Sequence, residues 1–202
     1  MRVGVLSDVH GQVALLRRAV AAIDDHGCEE IWCLGDVVDA LGAAPSADQE
    51  EAVALVASRC AVTLGGNHEL WALERGQLSH ATRLVLAGWA PRAERHGVLA
   101  VHASVIDPLY EFLDSPQVAA ASLAELGAHL ALFGHTHHPG MWGAAAGVPA
   151  PVWVSARTAP PVDLRTYQRA LVNPGAIQHD LQPTYLLLDL TARTATWHPV
   201  PG

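Results

Sequence analysis

Leu34-Gly35-Asp36-Val37-Val38-Asp39 decides how the chain is read. The apolar run Ile31-Trp32-Cys33-Leu34 leads into it and reads as a buried strand. Gly35 allows a tight turn because it has no Cβ. Two carboxylates, Asp36 and Asp39, follow three residues apart. In open α/β folds, ligands bind at the C-terminal edge of the parallel strands, where such a turn would place them. A Gly-Asp pair after a strand can also be a simple loop cap, so the reading depends on whether other strands end alike.

Four of them do. The strand expected at 3–6 ends in Ser7-Asp8-Val9-His10-Gly11, and that at 61–64 ends in Gly65-Gly66-Asn67-His68-Glu69. The strand at 98–101 ends in His102-Ala103-Ser104, and that at 129–133 in Gly134-His135-Thr136-His137-His138-Pro139. Between them, Val13, Leu16, Val20 and Ile23 recur at helical spacing up to a stop at His26-Gly27. A loop with Gly42 and Pro45 precedes a helix over 49–58, capped by Ser46 or Asp48. Pro116 suits the first turn of a helix over 116–126. Strand and helix in alternation predict βαβ units, right-handed crossovers and a parallel sheet, with the polar strand ends on one edge.

Two regions read differently. Residues 70–97 predict one or two helices, either plain packing or a cover on the substrate side, with Leu73, Leu78, Leu84, Leu86 and Trp89 as apolar contacts. After Pro139, short β-prone pieces at 152–155, 170–172, 185–190 and 194–197 are separated by Pro and Gly, with an Ala- and Gly-rich loop near 143–147. These predict a second, largely antiparallel sheet packed on the first. No linker or repeat divides the chain, which reads as one domain over residues 1–202.

Composition sets outer limits. With 202 residues, half of them apolar and 16% charged, the chain can bury a substantial core and is not disordered. No apolar run approaches the roughly 18 residues of a membrane span. The sequence enters a strand at once, so the expected location is the cytoplasm. A net charge of -8 argues against stable nucleic-acid binding, though bound cations would reverse the local field for a small anionic substrate. All 12 basic residues are Arg, which excludes lysine nucleophiles and Schiff bases. Cys28, Cys33 and Cys60 lack CxxC spacing and read as reduced, packed thiols. Oligomeric state leaves no mark in the sequence.

The strand ends together carry Asp8, His10, Asp36, Asp39, Asn67, His68, His102, His135 and His137. So many polar groups would be costly to bury unpaired, and bound cations would offset that cost. Mixed His, Asp and Asn donors suit Mn, Fe, Ni or Zn, and the lack of Cys argues against a purely structural zinc site.

The ordered motifs Asp8-Val9-His10, Gly35-Asp36-Val37-Val38-Asp39, Gly66-Asn67-His68-Glu69, Val101-His102-Ala103 and Gly134-His135-Thr136-His137 resemble those of the calcineurin-like metallophosphoesterases, in their small bacterial branch. The resemblance implies an α/β fold of two packed mixed sheets flanked by helices, an αββα sandwich. It implies two divalent ions, manganese first among the candidates. Asp8, His10, Asp36 and His137 would hold one ion. Asp36, Asn67, His102 and His135 would hold the other, with Asp36 bridging. The implied reaction is hydrolysis of a small phosphodiester or phosphomonoester, a nucleotide among the candidates, by in-line attack of a hydroxide shared by the ions. His68 would be a catalytic acid or phosphate-stabilising group rather than a ligand, with Asp39 behind it fixing its tautomer.

The other polar residues have plainer readings. Glu69 reads as an early-helix acid favoured by the dipole, and His138 as a solvated loop residue. Asn173-Pro174-Gly175 reads as a turn, with a supporting role if it lies near the site. Arg75, Arg83, Arg92, Arg95, Arg157 and Arg165 are candidates to line a pocket from outside the motifs. Few Arg near the motifs leaves no evident clamp for a dianion, which favours a diester over a monoester. A metal-binding scaffold, or a regulatory nucleotide-binding protein with little turnover, is the alternative on the same fold. The complete ligand set together with His68 favours the enzyme.

Overall fold

The computed structural model describes residues 1–42, 46–76, 78–156, 161–178 and 182–202. Pro45, Arg157, His179 and the side chain of Ser46, each named above, lie outside what is described. Among the described residues the chain forms two six-stranded mixed sheets, packed face to face and flanked by helices. No described helix is long and apolar enough to cross a membrane.

The first sheet starts with β1 (Arg2–Leu6), β2 (Glu30–Cys33) and β3 (Val62–Thr63), paired in parallel. Between them run α1 (Val13–Asp25) and α2 (Ser46–Arg59). α3 (Asn67–Arg75) and α4 (His80–Ala87) follow β3. The chain then crosses to the second sheet with β4 (Arg92–Arg95) and β5 (Val98–Val101), passes through α5 (Pro116–Glu125), and returns in β6 (Leu130–Leu132) parallel to β5. β7 (Gly140–Ala144), β8 (Val152–Ser155) and β10 (Arg169–Asn173) complete that sheet. β9 (Val162–Asp163), β11 (Thr184–Asp189) and β12 (Thr194–Pro199) return to the first. The strand orders are β3-β2-β1-β11-β12-β9 and β4-β5-β6-β10-β7-β8.

Two expectations are corrected here. The polar strand ends do not share one sheet: β1, β2 and β3 belong to the first and β5 and β6 to the second. The C-terminal strands do not build a sheet of their own but divide between the two. Strands buried on both faces carry near-continuous apolar runs, which do not reveal which sheet they join. β4 falls in the stretch read as helical. Its residues Arg92-Ala93-Glu94-Arg95 form a charged edge strand, joined to β5 by a tight turn with His96 and Gly97 at φ 54° and 73°. Charge on an edge strand discourages pairing with other chains.

Alternation along the strands fills three cores. Val3 and Val5 of β1, Val98 and Ala100 of β5, and Val172 of β10 face the space between the sheets. Leu6 packs with α1 and α2 outside the first sheet, and Leu99, Val101 and Phe133 pack with α5 outside the second. The three thiols are free; Cys33 is buried and Cys28 and Cys60 are half-buried. Trp142 is buried, and its indole donates to Leu113 O at 2.9 Å, while Trp89 and Trp153 are half-buried against the core clusters.

Glu30 fastens the β4–β5 hairpin to the first sheet. Its carboxylate accepts from Arg95 Nε at 2.8 Å and Trp32 Nε1 at 2.8 Å, with His96 Nε2 at 3.2 Å. The Arg95 bonds, working against partial burial, and then those to Trp32 and His96, hold the carboxyl down at about 2. A lowered folded pKa gives stability that is present above the ordinary value of 4.5 and is lost as pH falls towards 2. Glu30→Gln should therefore cost about 1 kcal/mol at pH 7. Urea denaturation at pH 7, 4 and 3 checks this: the gap to the native chain should narrow as pH falls, and a constant gap refutes it.

Candidate metal centre

The strand ends of both sheets meet over the gap between them. The loops after β1 and β2 run side by side, joined by Asp8 N to Gly35 O (2.9 Å), His10 N to Asp36 O (2.9 Å) and Gly11 N to Val37 O (2.8 Å). Five residues here take the left-handed conformation: Asp8 (φ 55°), His10 (46°), Asp36 (51°), His135 (60°) and His137 (59°). That region is unfavourable for residues with a Cβ, by roughly 1 kcal/mol each, and persists where surrounding contacts impose it. The result is to turn alternate side chains of Asp8-Val9-His10 and His135-Thr136-His137 towards the centre. Gly35 (φ 105°) and Gly66 admit the closest approaches. A Cβ on Gly66 would stand 2.2 Å from Asp36 Oδ1, and one on Gly35 2.8 Å from His102 Nδ1.

Donor atoms from these loops gather in three groups, each within 4.8 Å: Asp8, His10 and His137; His10, Asp36 and His68; Asp36, His102 and His135. Asp8 Oδ1 is 3.3 Å from His137 Nε2, which is 3.3 Å from His10 Nε2. Asp36 Oδ2 is 3.9 Å from His10 Nε2 on one side and 3.4 Å from His102 Nε2 on the other. Asn67 Oδ1 is 3.0 Å from His102 Nε2. All seven residues read as metal ligands are thus brought together, with Asp36 common to two groups. His102 Nδ1 faces Leu34 O at 2.8 Å, so Nδ1 carries a proton and Nε2 is the nitrogen turned towards Asp36 and Asn67, where a cation would displace any proton it holds.

The carboxylates and imidazoles shift one another. Burial opposes charge on Asp8 and Asp36, yet His137 holds Asp8 below its ordinary pKa and His102 does the same for Asp36. Burial pushes His10 down to about 4, while His102, against its burial, is pushed up to about 9 by Asp36 and then Asp8. Burial and then His102 lower His135; the Asp8 hydrogen bond raises His137 against burial. Two buried carboxylates beside nitrogen and amide donors fit first-row divalent ions.

Glu69 does more than favour the start of its helix. It is buried and accepts four backbone amides: Asp36 N at 2.8 Å, Val37 N at 2.7 Å, Val38 N at 3.0 Å and Gly66 N at 2.7 Å. Burial and then Asp36 push its carboxyl up to about 7, and the amides pull against them. Four donors and no acceptor around it favour the carboxylate. Its spacing from Gly66 is that of a capping box, the sequence signal that marks it. Glu69→Gln turns an amide NH2 towards two of these donors. It should cost about 2–3 kcal/mol and lower metal content, read by thermal denaturation and elemental analysis; unchanged stability refutes the clamp.

Asn173 holds the other side. It is buried, donates from Nδ2 to Gly134 O at 2.7 Å and Thr136 Oγ1 at 3.1 Å, and accepts Gly175 N at 2.7 Å. The Asn-Pro-Gly turn therefore supports the His135–His137 loop.

His68 lies beside the cluster, its ring 4.5 Å from that of His10. The contact expected of Asp39 is made by another group. Asp39 Oδ1 stands 3.7 Å from His68 Nδ1, beyond a hydrogen bond, and accepts instead from Gly42 N at 2.7 Å and Leu41 N at 3.3 Å. Ala40 N donates to His68 Nδ1 at 3.2 Å, which leaves the ring proton on Nε2. A short acidic side chain at a turn is drawn to the amides two and three residues on.

Around the centre, a cavity of about 370 Å³ borders His137, with His138, Asp114 and Trp153 in its wall. A larger one of about 900 Å³ lies at the opposite edge of the sheets and touches no candidate ligand. Arg95 and Arg165 pair with Glu30 and Asp163, away from the site, and Arg75 donates to Ala40 O at 2.5 Å.

The family model described as the calcineurin-like phosphoesterase superfamily domain matches residues 1–193. The fold resembles a metallophosphoesterase from Sphaerobacter thermophilus at 25% identity, with a TM-score of 0.83 over 100% of this chain and 88% of that one. It also resembles the hypothetical protein PH1004 from Pyrococcus horikoshii OT3 (16% identity, TM-score 0.67, 98% of this chain and 87% of that one). An archaeal phosphodiesterase shares the fold at 14% identity and a TM-score of 0.54, over 98% of this chain and 99% of that one. No curated protein matches the chain. With 193 of its 202 residues matched by one family model, and the motif loops of both sheets meeting at a shared cluster, the chain belongs to the calcineurin-like phosphoesterase superfamily.

Proposed function

We propose that the protein is a phosphoesterase working with two divalent ions, manganese first among Mn, Fe, Ni and Zn, on small phosphodiesters. The observation that carries this is the sharing of Asp36 between two donor groups, with His68 alongside. Asp8, His10, Asp36 and His137 would hold one ion, and Asp36, Asn67, His102 and His135 the other. Ions held there would neutralise phosphoryl oxygens and make water a competent nucleophile at neutral pH. His68 donates its Nε2 proton to a phosphoryl oxygen or to the leaving group, with Nδ1 occupied by the Ala40 amide. Asp39 acts on His68 through the turn that places Ala40. The diester preference is supported by two open flanks: the cavity beside His137 on one side, and exposed Tyr110 and Phe112 near His135 on the other.

The test is hydrolysis of bis-p-nitrophenyl phosphate and p-nitrophenyl phosphate by protein stripped with a chelator and reloaded with Mn. Turnover that returns with the metal and is faster on the diester is expected. A protein that binds no metal refutes the reading, and a faster monoester rate refutes the preference.

A further inference from the structure

An arc of aromatic rings runs from one side of the centre to the other. Trp71 lies 5.1 Å from the His68 ring, between centroids, and Tyr110 lies 6.4 Å from Trp71 at an interplanar angle of 32°. Phe112 lies 4.2 Å from the His135 ring. The arc therefore begins at the residue read as proton donor and ends at one read as a ligand.

Its exposure needs an explanation. Phe112 is 53% exposed and Tyr110 is 44% exposed, whereas Phe133, the other phenylalanine of the chain, is fully buried. The segment that carries them is fixed. Ala103 N donates to Pro108 O at 3.0 Å, Asp107 Oδ1 accepts Leu109 N at 3.0 Å and Tyr110 N at 3.1 Å, and Trp142 Nε1 holds Leu113 O at 2.9 Å. Leu113, the next residue but two after Tyr110, is buried. A loop pinned in this way holds two large apolar rings in water beside the centre, an arrangement that serves a flat ligand.

The charge nearby narrows the class. Arg75, one turn after Trp71, is engaged with Ala40 O, and the chain carries a net charge of -8. The arrangement does not suit a polyanion, which needs many basic contacts. Stacking on an aromatic face accepts any base, because each has a π-face. We propose that Trp71, Tyr110 and Phe112 form a platform for the nucleobase of a nucleotide phosphoester whose phosphorus lies at the metal centre. This rests on the phosphoesterase reading and adds the substrate class to it.

The test measures binding of AMP and ribose 5-phosphate to the Mn-loaded protein, by calorimetry and tryptophan fluorescence, with metal content checked in parallel. The native chain should bind AMP roughly 10-fold more tightly than ribose 5-phosphate. Phe112→Leu, apolar but not planar, and Tyr110→Leu, which leaves the His135 contact in place, should each reduce that ratio towards one. Equal binding of the two ligands by the native chain overturns the proposal, as does a ratio that survives both substitutions. Hydrolysis of methyl p-nitrophenyl phosphate, a diester without a base, separates the two readings. Base-selective binding without any hydrolysis refutes the phosphoesterase and upholds the platform. Hydrolysis without base selectivity refutes the platform alone.

Discussion

Asp36→Asn is expected to lower the affinity for both ions by at least about 100-fold and to abolish turnover with them. The substitution is nearly isosteric, and Oδ1 can still accept His68 N, now 2.9 Å away, so the loop should keep its shape. What goes is a buried negative charge lying between His10 and His102. Two cations close together need shared negative charge between them, and among the described residues Asp36 is the only carboxylate found in two donor groups, with His10 and His68 in one and with His102 and His135 in the other. Elemental analysis after equilibrium dialysis reads the effect. Full loading of both sites in the variant would remove Asp36 from the bridging role.

His68→Ala should do the reverse: keep the ions and lose about 10²–10⁴-fold in turnover. The geometry makes the metal measurement decisive, because His68 falls within 4.8 Å of His10 and Asp36 and could itself be a ligand. Lost metal would make it one. Unchanged turnover would remove it from the chemistry. Asp39→Asn should give a smaller loss, since an asparagine Oδ1 can still accept Leu41 N and Gly42 N and keep the Ala40 amide on the ring.

The chemistry was far more legible in the sequence than the wiring of the sheets. Asp8, His10, Asp36, Asn67, His102, His135 and His137 stand out because each follows an apolar run at a strand end; the structure gathers six of them in the donor groups and sets Asn67 against His102. Sheet membership was not legible, because β1 and β5 read alike as buried strands and only long-range pairing separates them. β4 was missed because its four residues carry three charges and follow a helical stretch. Glu69 was missed as a clamp because its partners, the amides of Asp36, Val37 and Val38, lie more than thirty residues away. The Ala40 amide could not be anticipated at all, since a backbone donor carries no side-chain signature.

The division of the ligands between two sheets has a consequence for folding. In the proposed scheme each ion takes ligands from both layers: Asp8, His10 and Asp36 with His137 across the gap, and Asp36 and Asn67 with His102 and His135. The sites cannot form before the layers have docked, because their ligands span positions 8 to 137 and loop closure over such distances comes late. Ions bound at those sites would act as rivets between the layers. By mass action, free metal at 100 times its dissociation constant adds about 2.7 kcal/mol per site to the docked state. On that scheme the melting temperature of this protein should depend on the solution's metal content as much as on its hydrophobic core.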